Sequence, residues 1–281
     1  MTTAKANASV TAADWYSLAG RVIVITGGAG FLGRQHAEAV LAAGGMPVLL
    51  DLSPASLATA AEDLGRVFGR VPPVVAADIT VEAQVEAAFY QAIKVSGKID
   101  GVINNAAFNG RGEFGQTYFE RFENYPLAAW RRTVDINLTG VFLVTKYALQ
   151  RMVPGGGGVF VNVASDVGVI SPDPRIYEGL AAGATFNTPP SYSATKAAVI
   201  NLTRHVATHY AKDGVRANAL SPAGMANNQP EEFVVKLANL IPLQRMAKQG
   251  ELKAAIVFLL SDASSFMTGG NLIVDGGRTA W

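Results

Sequence analysis

The stretch Val22-Ile23-Val24-Ile25-Thr26-Gly27-Gly28-Ala29-Gly30-Phe31-Leu32-Gly33 decides the fold. Four β-branched apolar residues and a Thr read as a strand of a parallel sheet, buried on both faces. Glycines 27, 30 and 33 then lead into a helical pattern. Small residues there let the backbone approach a pyrophosphate at the helix N-terminus, where unbonded N–H groups and the macrodipole favour an anion. Gly27, Gly30, Phe31 and Leu32 are the candidate contacts. Asp51, followed by Leu52, closes the second predicted strand. A carboxylate there can accept from both hydroxyls of an adenosine ribose and repels a 2′-phosphate. No Lys or Arg follows closely, so NAD is expected rather than NADP. A helix cap or turn is the other use of an Asp at that place.

Outward from this turn, short apolar runs alternate with helical patterns. Strands are predicted at Val22–Thr26, Pro47–Leu50, Val74–Ala77, Gly101–Asn104, Val159–Val163, Val215–Ala219 and Leu272–Val274. Helices are predicted near 32–43, 54–66, 81–95, 127–152, 191–212 and 249–261. Such alternation gives an α/β fold, a Rossmann-type doubly wound parallel sheet with right-handed crossovers. No linker divides the chain, so one domain is expected over 20–281, preceded by an N-terminal extension, 1–19. Two stretches rich in Gly, Pro and aromatic residues, 108–126 and 168–190, follow strands and lie at the carboxyl edge where such sheets bind ligands.

Composition narrows the function. The chain has 281 residues, is 49% hydrophobic and 16% charged, and carries a net charge of +1. Near-neutrality argues against nucleic-acid and membrane-surface partners. With no Cys, thiolate chemistry and disulfides are excluded. No apolar run matches a signal peptide or a membrane span, so a cytoplasmic location is expected.

Chemistry enters with Tyr192 and Lys196, four apart in Tyr-Ser-Ala-Thr-Lys and so on one helix face. An ammonium beside a phenol favours the phenolate, and a phenol tuned that way exchanges a proton as hydride moves at the same carbon. Ser165 ends a strand upstream. Asp78 follows the third strand and Asn104-Asn105-Ala106-Ala107 the fourth; ligand contact and backbone bonding are both open to them. His205 and His209 are also four apart, but no third ligand joins them, and no metal is expected.

Together these residues resemble the short-chain dehydrogenase/reductase superfamily, compact single-domain branch, from about residue 20 to the end. The likeness rests on the Gly-rich turn, Asn104–Ala107, Asn137 in Asp-Ile-Asn-Leu-Thr-Gly, Ser165 in Asn-Val-Ala-Ser, Tyr192/Lys196, Arg216–Pro222 and the tail Thr268–Gly277. The glycine spacing resembles the extended branch instead. Ala223 stands where Gly is usual, and Asn227 where a Thr often contacts the nicotinamide. The resemblance implies Tyr192 as general acid or base, Lys196 lowering its pKa and bonding the nicotinamide ribose, Ser165 holding the substrate oxygen, and Asn137 organising a relay water. It adds Ile79, Ala106, Pro222 and Met225 to the expected cofactor contacts. It also implies a homodimer or homotetramer paired through helices 127–152 and 191–212.

Ser165 and Tyr192 lie 27 positions apart, much wider than is usual in that branch. The inserted segment points to a bulky polar substrate, with Arg175 and Tyr177 as candidate contacts; Arg175 either pairs with a carboxylate or phosphate or is an exposed salt-bridge partner, and Arg111 is a further candidate. Pro172–Tyr177, Ser221–Gln229 and the tail ending in Trp281 resemble a subgroup of flagellin or surface-polysaccharide modification oxidoreductases. The expected substrate is therefore a sugar or sugar-derived alcohol or ketone. Alternatives are a 3-oxoacyl-thioester reductase, an epimerase or dehydratase with bound NAD, and a non-catalytic cofactor sensor. Trp281 is expected to pack on a substrate loop.

Overall fold

The computed structural model describes residues 11–110, 114, 120–179 and 188–281. Strands β1 (Val22–Thr26), β2 (Met46–Asp51), β3 (Val74–Ala76), β4 (Gly101–Asn104), β5 (Gly158–Val163), β6 (Val215–Pro222) and β7 (Asn271–Val274) form a parallel sheet in the order β3-β2-β1-β4-β5-β6-β7. The connections are helical: α1 (Ala12–Trp15) before the sheet, then α2 (Phe31–Ala42), α3 (Pro54–Phe68), α4 (Glu82–Ser96), α5 (Leu127–Val134), α6 (Gly140–Met152), α7 (Pro190–Tyr210), α8 (Glu231–Ala238) and α9 (Lys253–Leu260).

All five residues of β1 are buried, and their alternation builds two cores. Val22 and Val24 point into one, with Phe89 of α4 and Val144 of α6. Ile23 and Ile25 point into the other, with Val40 of α2, Leu57 of α3 and Ile256 of α9. The register sets Val24 against Val48 on one side and Val102 on the other. Strand order reverses at β1, so the crevice between the ends of β1 and β4 is open to a ligand.

The predicted strands all form, with ends shifted by a few residues, and β6 runs on to Pro222, bringing Ser221 and Pro222 to the carboxyl edge. The predicted helix 127–152 is interrupted. A π-helical turn, Asp135–Thr139, lies between α5 and α6 and bulges the chain at Asn137. Helix α8 was not predicted. At eight residues it is too short to be stable by itself, and it is held by packing against Ile176 and Tyr177. The segment read as an extension contributes to the core: Leu18 is fully buried and its N–H donates to the Ala43 carbonyl at 2.8 Å. Among the described residues no helix is long and apolar enough to cross a membrane.

Candidate active site

One end of the site is the β1–α2 turn. Gly27 has φ +63°, and a Cβ there would lie 2.9 Å from the Ala106 Cα. A Cβ on Gly33 would lie 2.0 Å from the Gly27 carbonyl oxygen, so the helix starts hard against the turn only because neither residue has a side chain. The first N–H groups of α2 have no intrahelical acceptor and lie at the cavity beside Gly30. Thr26 and Asn105 brace this backbone. Thr26 Oγ1 accepts from the Asn105 and Ala106 N–H groups at 3.0 and 3.1 Å, and Asn105 Nδ2 donates to the Thr26 and Gly27 carbonyls at 2.9 and 3.2 Å. The Asp51 carboxylate is held at the end of β2 by N–H donors from Ala29 (3.1 Å) and Leu52 (2.8 Å). Asp78 accepts from the Thr80 N–H and hydroxyl. A cradle with no room for a side chain, exposed helix N–H groups and a fixed carboxylate beyond them fit a dinucleotide. Beneath the turn, His36 is fully buried, and burial pushes it down to about 4, so it is neutral at pH 7.

The other end lies where β5 and β6 finish and α7 begins. Lys196 is 3% exposed. Its ammonium donates to the Val163 carbonyl at 2.7 Å and lies 5.7 Å from the centre of the Tyr192 ring. Burial pulls it down to about 8. Ser165 is buried, and its hydroxyl donates to Asp166 Oδ1 at 2.9 Å. Asp166 in turn pairs through Oδ2 with Arg278 Nη1 at 2.5 Å, both side chains almost wholly buried. Asn137 grips the peptide of Phe108, accepting from its N–H at 2.6 Å and donating to its carbonyl at 3.1 Å, and reaches Thr195 of α7 at 3.4 Å. The π turn thus ties the loop after β4 to the helix that carries Tyr192.

The two ends share one cavity of about 670 Å³, within the range of small-molecule and cofactor sites. Gly27, Gly30, Phe31, Leu32, Asp51, Leu52, Asp78, Ile79, Asn105, Ala106, Pro222 and Met225 line it, together with Ser165, Tyr177, Tyr192 and Lys196. Asn137 stands behind the wall. Arg175 does not join the cavity lining: its guanidinium is three-quarters exposed and forked onto Asp173, which it holds down at about 2. The Pro174–Tyr177 turn directs Ile176 and Tyr177 inward and leaves Arg175 outside. Arg111 lies outside the described residues. His205 and His209 stack at 3.9 Å on the surface of α7, and among the described residues no His/Cys/Asp/Glu cluster could hold a metal. Trp281 is three-quarters exposed, its indole N–H donating to the Leu240 carbonyl at 3.3 Å, beyond α8 rather than on the substrate segment itself. Asp166, Arg278 and Thr188 line the cavity without having been singled out for it by the sequence. The only signal was adjacency of Asp166 to Ser165, since Arg278 lies 112 positions further on.

Comparison with known proteins agrees with this geometry. Residues 28–279 match a family described as enoyl-(acyl carrier protein) reductase. The chain is 36% identical to a cis-4-hydroxycyclohexanecarboxylate dehydrogenase of Sinomonas cyclohexanicum, over 94% of this chain and 98% of that one. It is 30% identical to an NAD-dependent glycerol dehydrogenase of Listeria innocua, over 94% and 96%. A short-chain type dehydrogenase/reductase from Mycobacterium marinum superposes with a TM-score of 0.85 at 28% identity, over 97% of this chain and 100% of that one. The chain belongs to the short-chain dehydrogenase/reductase superfamily and is an NAD(P)-dependent oxidoreductase of small-molecule alcohols and ketones.

Proposed function

We propose that this enzyme transfers hydride between NAD and a secondary alcohol or ketone of a polyhydroxylated, sugar-derived substrate. The observation that carries the reading is the buried Lys196 ammonium beside Tyr192 in one cavity with Ser165 and the Asp51 carboxylate. When bound, the nicotinamide dinucleotide supplies the two-electron acceptor or donor, held by Gly27, Gly30, the first turn of α2, Asp51 and Lys196. Tyr192 takes the hydroxyl proton in oxidation and returns it in reduction. Lys196, fixed by the Val163 carbonyl, stabilises the phenolate through its charge. Ser165 turns its hydroxyl from Asp166 to the substrate oxygen and stabilises the charge that develops there. Asn137 keeps the loop after β4 and α7 in register and organises the proton relay behind Lys196.

Asp51 supports NAD over NADP, because a 2′-phosphate would stand against its carboxylate. The glycerol dehydrogenase among the relatives supports a polyol-like substrate. The exposed Leu127, Trp130 and Phe142 of α5 and α6 suit pairing with a second copy, as a dimer or tetramer. A second reading, reduction of an acyl thioester, is favoured by the description of the matching family.

The test is a panel of sugars, polyols, sugar acids and sugar nucleotides incubated with NAD or NADP, with reduced cofactor followed by absorbance. Turnover of polyhydroxylated alcohols with NAD is the expected result. Silence there, with NADPH-dependent reduction of acyl thioesters, would replace this reading by the second.

A further inference from the structure

We propose that Asp166 and Arg278 form a socket that binds a second hydroxyl of the substrate, so that the pocket selects neutral diols and polyols over mono-alcohols. This rests on the alcohol–ketone chemistry assigned above and names the feature of the substrate that is recognised.

Arg278 reaches the site by a built turn. After β7 the Asp275 carboxylate accepts from the N–H groups of Gly277 (2.8 Å) and Thr279 (2.6 Å). Gly277 has φ +93°, which favours glycine. The turn sends the Arg278 side chain into the cavity wall, where it is 6% exposed. Of its guanidinium nitrogens, only Nη1 bonds a protein atom among the described residues, and Nε is buried without a partner. A buried donor left so is costly unless a ligand or water takes it. Nε and Nη2 form one edge of the guanidinium, a two-donor fork.

Asp166 offers the complementary half. Its Oδ1 accepts from the Ser165 hydroxyl at 2.9 Å and the Val167 N–H at 2.8 Å, whereas among the described residues Oδ2 accepts from Arg278 alone. A lone pair on Oδ2 is left over. A donor edge and a spare acceptor therefore adjoin, one residue from Ser165. A hydroxyl accepts and donates at once, which suits both. Charge favours a neutral ligand, because Asp166 already balances Arg278 and a carboxylate would bring a second anion beside it. Arg132 also lines the cavity, which makes a hydroxy acid the competing ligand.

The experiment compares kcat/KM for cyclohexane-1,2-diol, cyclohexanol and 2-hydroxycyclohexanecarboxylate, in the wild type, in Arg278→Lys and in the double variant Asp166→Asn/Arg278→Gln. A site built to bond a hydroxyl rejects the analogue that lacks it, here by about a hundredfold or more for diol over mono-alcohol. Arg278→Lys keeps the charge against Asp166 but loses the Nε edge. It also disturbs Ser165, so both rates fall, and the diol preference falls about tenfold further. The neutral double variant, which strands no buried charge, loses the preference likewise. A purely structural pair would lower both rates and leave the ratio unchanged, which would overturn the proposal. So would a wild type that does not discriminate, or one that prefers the hydroxy acid to the diol. Turnover without discrimination removes this inference alone, whereas absence of any alcohol or ketone turnover removes the functional reading and this inference together.

Discussion

The two ends of the cavity are built by different means. At the β1–α2 end the contacts are made by backbone, and side chains such as Asn105, Thr26 and Asp78 bond backbone nearby. At the Ser165 end the contacts run from side chain to side chain across the whole chain, from Ser165 through Asp166 to Arg278. The first design fixes a shape for a ligand common to many enzymes. The second fixes charges and donors, the part assigned above to the substrate, and it depends on a tail more than a hundred residues away.

That contrast can be broken first at the ion pair. Asp166→Ala leaves the Arg278 guanidinium buried without its partner, and should cost about 3–5 kcal/mol in urea unfolding. Asp166→Asn together with Arg278→Gln should recover most of that stability. An exposed pair would show neither effect.

The two ends also differ in their pH windows. His36 lies beneath the turn, and its folded value of about 4 is below the usual 6.5. The unfolded state therefore binds more protons between those values, and stability falls as pH drops through that window. Lys196, at about 8 against 10.5, has the same sign in a different window: its buried charge costs stability below pH 8, and the cost is relieved as pH rises towards 10.5. Each window holds about 3 kcal/mol. Unfolding curves of His36→Leu and Lys196→Met against pH should each lose one slope and keep the other. Lys196→Met should also lose turnover.

At the turn, Gly33→Ala puts a Cβ against the Gly27 carbonyl. Overpacking of that kind costs about 1–3 kcal/mol and should weaken NAD binding about tenfold or more by calorimetry, for every substrate alike. The smallest effect is expected at Arg175. Its exposed pair with Asp173 is of the kind that contributes little, so Arg175→Ala should change kcat/KM by less than about twofold.

Legibility in the sequence follows the same division. The turn was readable because its physics is local: glycines 27, 30 and 33 and the apolar strand before them state the geometry within a dozen residues. The face shared by Tyr192 and Lys196 was readable from helical periodicity. The Asp166–Arg278 pair was not, because nothing in either neighbourhood announces a partner at the far end of the chain. Arg175 was a candidate on residue type and segment, but spacing cannot say which side of a 3₁₀ turn faces inward. Helix α8 was missed because its helicity depends on packing against Ile176 and Tyr177 rather than on its own propensities. The break in 127–152 was missed because it is one π turn between two α-helical runs, with no Pro in the segment to mark it.

The most direct measurement pairs NAD affinity with turnover in Tyr192→Phe. In the proposed mechanism the phenol transfers the proton at one end of the cavity and the dinucleotide is held mainly at the other. The expected result is a dissociation constant for NAD close to that of the wild type, with kcat on a polyol lower by about 10²–10⁴-fold. Wild-type turnover in that variant would contradict the assignment of the site, and loss of NAD binding would contradict the separation of its two ends.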